Sequence, residues 1–176
     1  RILQSAGVAA ALQGRTVPAT TYEWRNASGA TLVRFGRNAA HSLSGWPESS
    51  MFCQPELEAI LDARRRRLPC VSVERGWEVE ALHLEGDGVT IGARHADGRT
   101  QERRARFAVG CDGANSFVRG AIGSGWHDLG FHFGWLVVDV LPEDPSWSGP
   151  INWQLCDPAR PTTLVSGGPG RRRWEF

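Results

Sequence analysis

Lysine is absent from this 176-residue chain: all 20 basic residues are arginine, set against 19 acidic ones for a net charge of +1. So even a balance gives no electrostatic reason to expect nucleic acid or an anionic membrane surface as partner. The exclusive use of arginine reads as a GC-rich coding sequence, although guanidinium groups also suit phosphate and carboxylate contacts. Cysteine is scarce as well. Cys53, Cys70, Cys111 and Cys156 stand far apart, without Cys-x-x-Cys or His–Cys ligand spacing. That argues against a zinc site and a disulfide framework, and predicts reduced, buried thiols. The five histidines, His41, His83, His95, His127 and His132, show no ligand spacing either, so no metal is expected. Long apolar runs are missing, and stretches such as Trp135–Val138 are too short to span a bilayer. No signal peptide opens the chain, which makes the cytoplasm the expected compartment. Asn26-Ala27-Ser28 matches a glycosylation acceptor but is read as a turn.

What is present is the composition of an ordinary globular protein, 41% hydrophobic and 22% charged. Arg1–Leu12 has apolar residues at helical spacing, and Trp174-Glu175-Phe176 is strand-like. Both ends fall inside an element, the expectation for an internal piece of a longer protein. Strands are predicted at Thr21–Arg25 and Ala30–Phe35, joined by a turn at Asn26–Gly29. Residues 36–50 read as loop. A helix is predicted from Gln54-Pro55-Glu56, with a stripe of Leu57, Ile60, Leu61, Arg64 and Leu68, closed by Pro69. Arg64-Arg65-Arg66-Arg67 reads as its solvated end. Val71–Glu74, Glu78–Leu84, Val89–Arg94 and Gln101–Val109 read as strands, with hairpin turns at Gly86-Asp87-Gly88 and Asp97-Gly98. Trp135–Val140, Ile151–Leu155, Thr162–Val165 and Arg173–Phe176 predict a second sheet. The eight tryptophans read as packing residues, with Trp135 or Trp153 placed to face an aromatic ligand.

The informative run is Val109-Gly110-Cys111-Asp112-Gly113-Ala114-Asn115-Ser116-Phe117-Val118-Arg119. The small apolar residues 107–111 predict a strand buried on both faces, followed by an Asp-Gly turn and a helix start at Ser116. Such a turn brings backbone close to a phosphorylated ligand. Gly113 permits the approach, the helix start offers amides, and Asp112 can accept from a ribose hydroxyl.

The run resembles the second fingerprint of the class A flavoprotein monooxygenases, the p-hydroxybenzoate hydroxylase family. The resemblance extends over nearly the whole chain. Trp46-Pro47 with Met51–Leu57 is similar to the family's cofactor-contacting helix start. Trp135–Asp139, Cys156–Pro161 and Arg172–Phe176 are similar to the branch containing 3-(3-hydroxyphenyl)propionate hydroxylase. It implies an α/β fold: part of an FAD-binding Rossmann-like domain with a β-meander, at 1–20 and 48–128, and part of an antiparallel substrate-domain sheet, at 21–47 and 129–176. It implies FAD and NAD(P)H as cofactors, with Gln54, Val79, Asp112, Gly113 and Arg119 at the cofactor site. The partners implied are O₂ and a small phenolic substrate, hydroxylated in the ring; no catalytic side chain is assigned. The family's glycine-rich GxGxxG and its later Gly-Asp segment are expected outside residues 1–176. Gly123-Ser124-Gly125-Trp126-His127-Asp128 lacks the third glycine and is not that motif. A polyketide-tailoring hydroxylase of the same fold and an inactive remnant remain alternatives. A polypeptide of these residues alone is expected to be inactive.

Overall fold

The computed structural model describes residues 1–37, 42–144 and 151–176. His41 and the centre of the loop expected at 36–50 lie outside them. By contacts the chain divides into two compact units, Arg1–Val71 with Phe133–Phe176, and Ser72–His132.

In the first unit the opening helix is far shorter than its apolar pattern. Helix α1 spans Ile2–Ser5, and one 3₁₀ turn, Ala10–Leu12, follows. Gly7 takes φ +74°, and the Gly7 and Val8 amides donate back to the Gln4 and Leu3 carbonyls at 2.9 and 3.0 Å. This closure ends a helix at a left-handed glycine and seats the next apolar residue. Val8 is accordingly buried. Strand β1 (Thr16–Pro18) then pairs antiparallel with β4 (Ser50–Phe52), which leads into α2 (Gln54–Arg65).

The rest of the unit is a six-stranded sheet. Its strands are β2 (Thr21–Asn26), β3 (Thr31–Gly36), β8 (Val137–Val140), β9 (Ile151–Cys156), β10 (Thr162–Ser166) and β11 (Arg172–Glu175), in the order β3-β2-β9-β10-β11-β8. Every junction is antiparallel except β2–β9, which is parallel. The Asn26 side chain closes the β2–β3 turn, accepting from the Ala30 amide at 2.9 Å and the Ser28 hydroxyl at 2.8 Å. Register sets Arg34, Glu23, Trp153, Leu164, Trp174 and Val138 opposite one another across all six strands. Paired residues share a face. Glu23, 1% exposed, is held by Arg25 and Arg34, and these bonds keep its carboxyl below the usual range.

One contact locks this sheet to α2. Gly168, in the β10–β11 turn, has φ +104°, and a Cβ there would lie 2.9 Å from the Cys53 amide nitrogen. Arg171 adds a contact to Glu56 at 3.4 Å, and Arg15 reaches the same carboxylate at 3.6 Å.

The second unit holds an antiparallel meander of β5 (Trp77–Glu85), β6 (Gly88–His95) and β7 (Thr100–Ala105), with the short helix α3 (Phe117–Ala121) against β5. Val89 is its buried apolar residue. Two expected strands are corrected. Val71–Glu74 is irregular, and β7 stops at Ala105, leaving 107–111 irregular and exposed, Phe107 at 78% and Val109 at 83%. A strand exists only with a ladder partner, and none of the described strands lies beside either stretch. Composition announces a wish for burial and cannot supply the neighbour. The thiols are free, as expected, but not buried: Cys53 is half-buried and Cys70, Cys111 and Cys156 are exposed. They sit at element ends and in loops, where little covers them.

Candidate cofactor site

The Asp112 run keeps its shape without the buried strand because its order is local. Asp112 Oδ1 accepts the Ser116 hydroxyl at 2.6 Å, and Oδ2 accepts the Val118 amide at 3.0 Å. Ser116 Oγ accepts the Arg119 amide at 3.0 Å, making Ser116 the cap of α3. The Ser116 hydroxyl, and after it the Val118 amide, hold the Asp112 carboxyl below its ordinary value, so the group is anionic at neutral pH. The expectation of free amides at this helix start is therefore corrected. Two of them are already engaged, the Val118 amide by Asp112 and the Arg119 amide by the Ser116 cap.

Both glycines of the run have a geometric reason. Gly113 takes φ +76°, and nothing lies within 4 Å of the place a Cβ would occupy, so its backbone is open to a ligand. Gly110 is closed: a Cβ there would sit 2.7 Å from Val118 Cβ and 3.0 Å from Asp112 Oδ1. Arg119, half-buried, lays its guanidinium over Trp126, 4.2 Å from the ring centre. Gly123 then ends α3 at φ +68°, with Ser124 donating to the Arg119 carbonyl at 3.1 Å.

Val79 lies on β5 opposite Ala93, beside a register shift that leaves Glu80 out of the ladder. Thus Asp112, Gly113 and Arg119 come together on one turn, and the strand of Val79 packs against α3. Gln54 belongs to the other unit. It is the first residue of α2, exposed, with Cys53 as the cap, and its Nε2 donates to Glu58 at 2.9 Å. That bond leaves the amide oxygen available. In the same unit an open cavity of about 940 Å³ is lined in part by Gln4, Leu12, Trp46, Pro47, Phe52 and Leu57. Trp46 Nε1 donates to Gln4 Oε1 at 3.2 Å on its wall.

Sequence reasoning placed the helix start at Ser116 but missed its bond to Asp112, and it missed Gly110 and Trp126 as parts of this arrangement. A serine directly before Phe117-Val118 is a cap signal and marks Ser116. Nothing in the sequence marks Gly110 or Trp126, whose roles come from close approach in space. Among the described residues, no group of His, Cys, Asp and Glu gathers to hold a metal. No described helix is long and apolar enough to cross a membrane.

The profile of a family described as an FAD binding domain matches residues 1–174. The chain belongs to that family. A probable NADH-specific resorcinol 4-hydroxylase of Rhodococcus jostii (strain RHA1) is 35% identical over 184 residues, covering 100% of this chain and 33% of that protein. A 3-(3-hydroxy-phenyl)propionate/3-hydroxycinnamic acid hydroxylase of Klebsiella pneumoniae (strain 342) is 34% identical over 132 residues, 75% of this chain and 24% of the relative. The chain thus spans a third or less of these curated relatives. In fold it is similar to p-nitrophenol 4-monooxygenase PnpA from Pseudomonas putida DLL-E4, with a TM-score of 0.81 at 20% identity over 99% of this chain and 44% of that one. The mixed α/β fold expected from the Asp112–Arg119 run is the fold found.

The residues present fit a dinucleotide. Asp112 is an exposed anion whose two oxygens carry more acceptor sites than the Ser116 and Val118 bonds use. Gly113 leaves the backbone beside it open.

Proposed function

We propose that the intact protein is an FAD-dependent, NAD(P)H-using monooxygenase that hydroxylates a phenolic compound similar to 3-(3-hydroxyphenyl)propionate. The observation that carries this reading is the self-ordered Asp112–Arg119 turn inside a chain that matches the FAD-binding family from residue 1 to 174. The balance is one phenol, O₂, NAD(P)H and a proton giving one ring-hydroxylated product, NAD(P)⁺ and water. Bound FAD supplies the electron transfer and oxygen activation that side chains cannot.

The chain's own residues bind and orient. Asp112, held ionised, accepts from sugar hydroxyls. Gly113 admits the ligand to the backbone, Arg119 offers a cation to phosphate, Gln54 offers its amide oxygen, and Val79 lends backbone at the adenine. Residues 1–20 and 48–128 form the flavin-holding part, and 21–47 with 129–176 the substrate side, where the six-stranded sheet excludes water from the ring. The setting is the cytoplasm.

The test is purification of the intact protein with FAD, followed by NADH and NADPH oxidation with and without resorcinol or 3-(3-hydroxyphenyl)propionate under isotopically labelled O₂. Near-stoichiometric flavin, phenol-stimulated oxidation and one labelled oxygen in the product are expected. Protein that retains no flavin, or oxidation indifferent to phenols with no labelled product, refutes the reading.

A further inference from the structure

On one face of the six-stranded sheet, beside buried Glu23, the side chains form an aromatic tier. Trp153 and Trp174 meet edge to face with centroids 5.6 Å apart. Trp174 lies parallel to Phe176 at 6.0 Å, their planes 2° apart. An arginine covers each end: Arg25 sits 5.6 Å from the Trp153 ring centre and Arg160 sits 5.0 Å from that of Phe176. All three rings are half-buried, so part of each remains open.

The two arginines differ in charge balance. Arg25 donates from Nε and Nη2 to Glu23 at 2.9 and 2.7 Å, and Arg34 donates to the same carboxylate at 2.7 Å. Arg25 is therefore committed to a carboxylate that it shares with Arg34. Arg160 is exposed and has no carboxylate partner among the described residues. Neighbouring Asp157 instead accepts the Ala159 amide at 2.9 Å. Stacking on Phe176 restrains the Arg160 guanidinium while its N–H donors, which lie in the plane, stay free for a planar anion.

The geometry points to an aromatic carboxylate as the ligand of this tier, its ring against Trp153 and Trp174 and its acid group on Arg160. Arg160 is then the residue that selects an acidic phenol over a neutral one. This rests on the reading of the protein as a phenol hydroxylase, and it separates two chemistries found among its relatives, since resorcinol carries no acid group and 3-(3-hydroxyphenyl)propionate does.

The experiment measures kcat/KM of the intact, flavin-loaded protein for 3-(3-hydroxyphenyl)propionate and for its uncharged amide. Arg160→Gln is expected to lower kcat/KM for the acid about tenfold to a hundredfold, chiefly through KM, and to leave the amide within about twofold, as loss of a charge-assisted bond does. Arg160→Lys restores part of the loss. In the wild type, added salt raises KM for the acid and not for the amide, a measurement that needs no variant. Equal effects of Arg160→Gln on acid and amide, no effect on either, or a KM for the acid insensitive to salt overturns the assignment. A wild type that hydroxylates resorcinol and not the acid overturns it too, while leaving the phenol hydroxylase reading intact. A protein that hydroxylates none of these phenols fails the broader reading itself.

Discussion

Asp112 meets two demands with one carboxylate: it ties Ser116 and Val118 into the start of α3, and it remains an exposed anion beside the open backbone of Gly113. The consequences of substitution differ for the two partners. Ser116→Ala removes the cap and is expected to reduce stability by about 1 kcal/mol, seen as faster amide exchange at Val118 and Arg119. Asp112→Ala leaves the Ser116 hydroxyl and the Val118 amide without their acceptor and also removes the anion. In the intact protein it should weaken FAD retention or slow reduction by NAD(P)H. Asp112→Asn, which keeps one acceptor oxygen, should fall between wild type and Asp112→Ala. Flavin content after gel filtration and stopped-flow reduction read both effects, and wild-type values for Asp112→Ala would remove Asp112 from the cofactor site.

At the scale of elements, the last turn of α2 shows how the arginine run is used. Arg65 and Arg66 both donate to Asp62, at 2.7 and 2.8 Å, and draw its carboxyl from 3.8 down to about 2. Arg64 turns the other way and donates to the Ala6 carbonyl at 3.0 Å, bridging α2 to the chain beyond α1. The folded carboxyl titrates below its ordinary value. The stabilisation is therefore present above pH about 3.8 and is lost as pH falls toward about 2. An acid titration followed by helical circular dichroism should show the wild type losing α2 signal in that window. Asp62→Asn should lack that step. The effect should shrink in high salt, because Arg66 is exposed and Asp62 and Arg65 are only half-buried.

For the whole molecule, the relevant quantity is how much apolar surface the described residues leave open. Phe107, Val109, Trp126, Phe131, Phe133 and Leu136 are all exposed, apolar surface that favours association where it is contiguous. A family dinucleotide site is expected to draw on several segments converging on one ligand. On the function proposed above, the Asp112 turn is one such segment. A polypeptide limited to these 176 residues is therefore expected to hold FAD weakly and to self-associate. Titration with FAD followed by flavin fluorescence, alongside gel filtration, measures both. Saturable quenching at micromolar cofactor by a monomer would contradict the expectation.

Local chemistry was legible in the sequence wherever neighbours along the chain decide the outcome. The Asn26–Gly29 turn, the Pro55-led start of α2, the glycine hairpins of the meander and the Ser116 start of α3 all follow from residues a few positions apart. The Gly7 stop was equally local and was outweighed by an apolar pattern running on to Leu12. What the sequence left open were partners distant along the chain. Residues 107–111 have the composition of a buried strand, yet only a neighbouring ladder makes one. The parallel pairing of β2 with β9, the approach of Gly168 to Cys53, and the tier of Trp153, Trp174 and Phe176 each join segments far apart in sequence. Hydrophobic period and turn chemistry act within one or two turns of chain, and so the sequence by itself determined the turns, the hairpins and the helix starts. Register and close packing are set between elements, and so only the tertiary structure decided which side chains share a face.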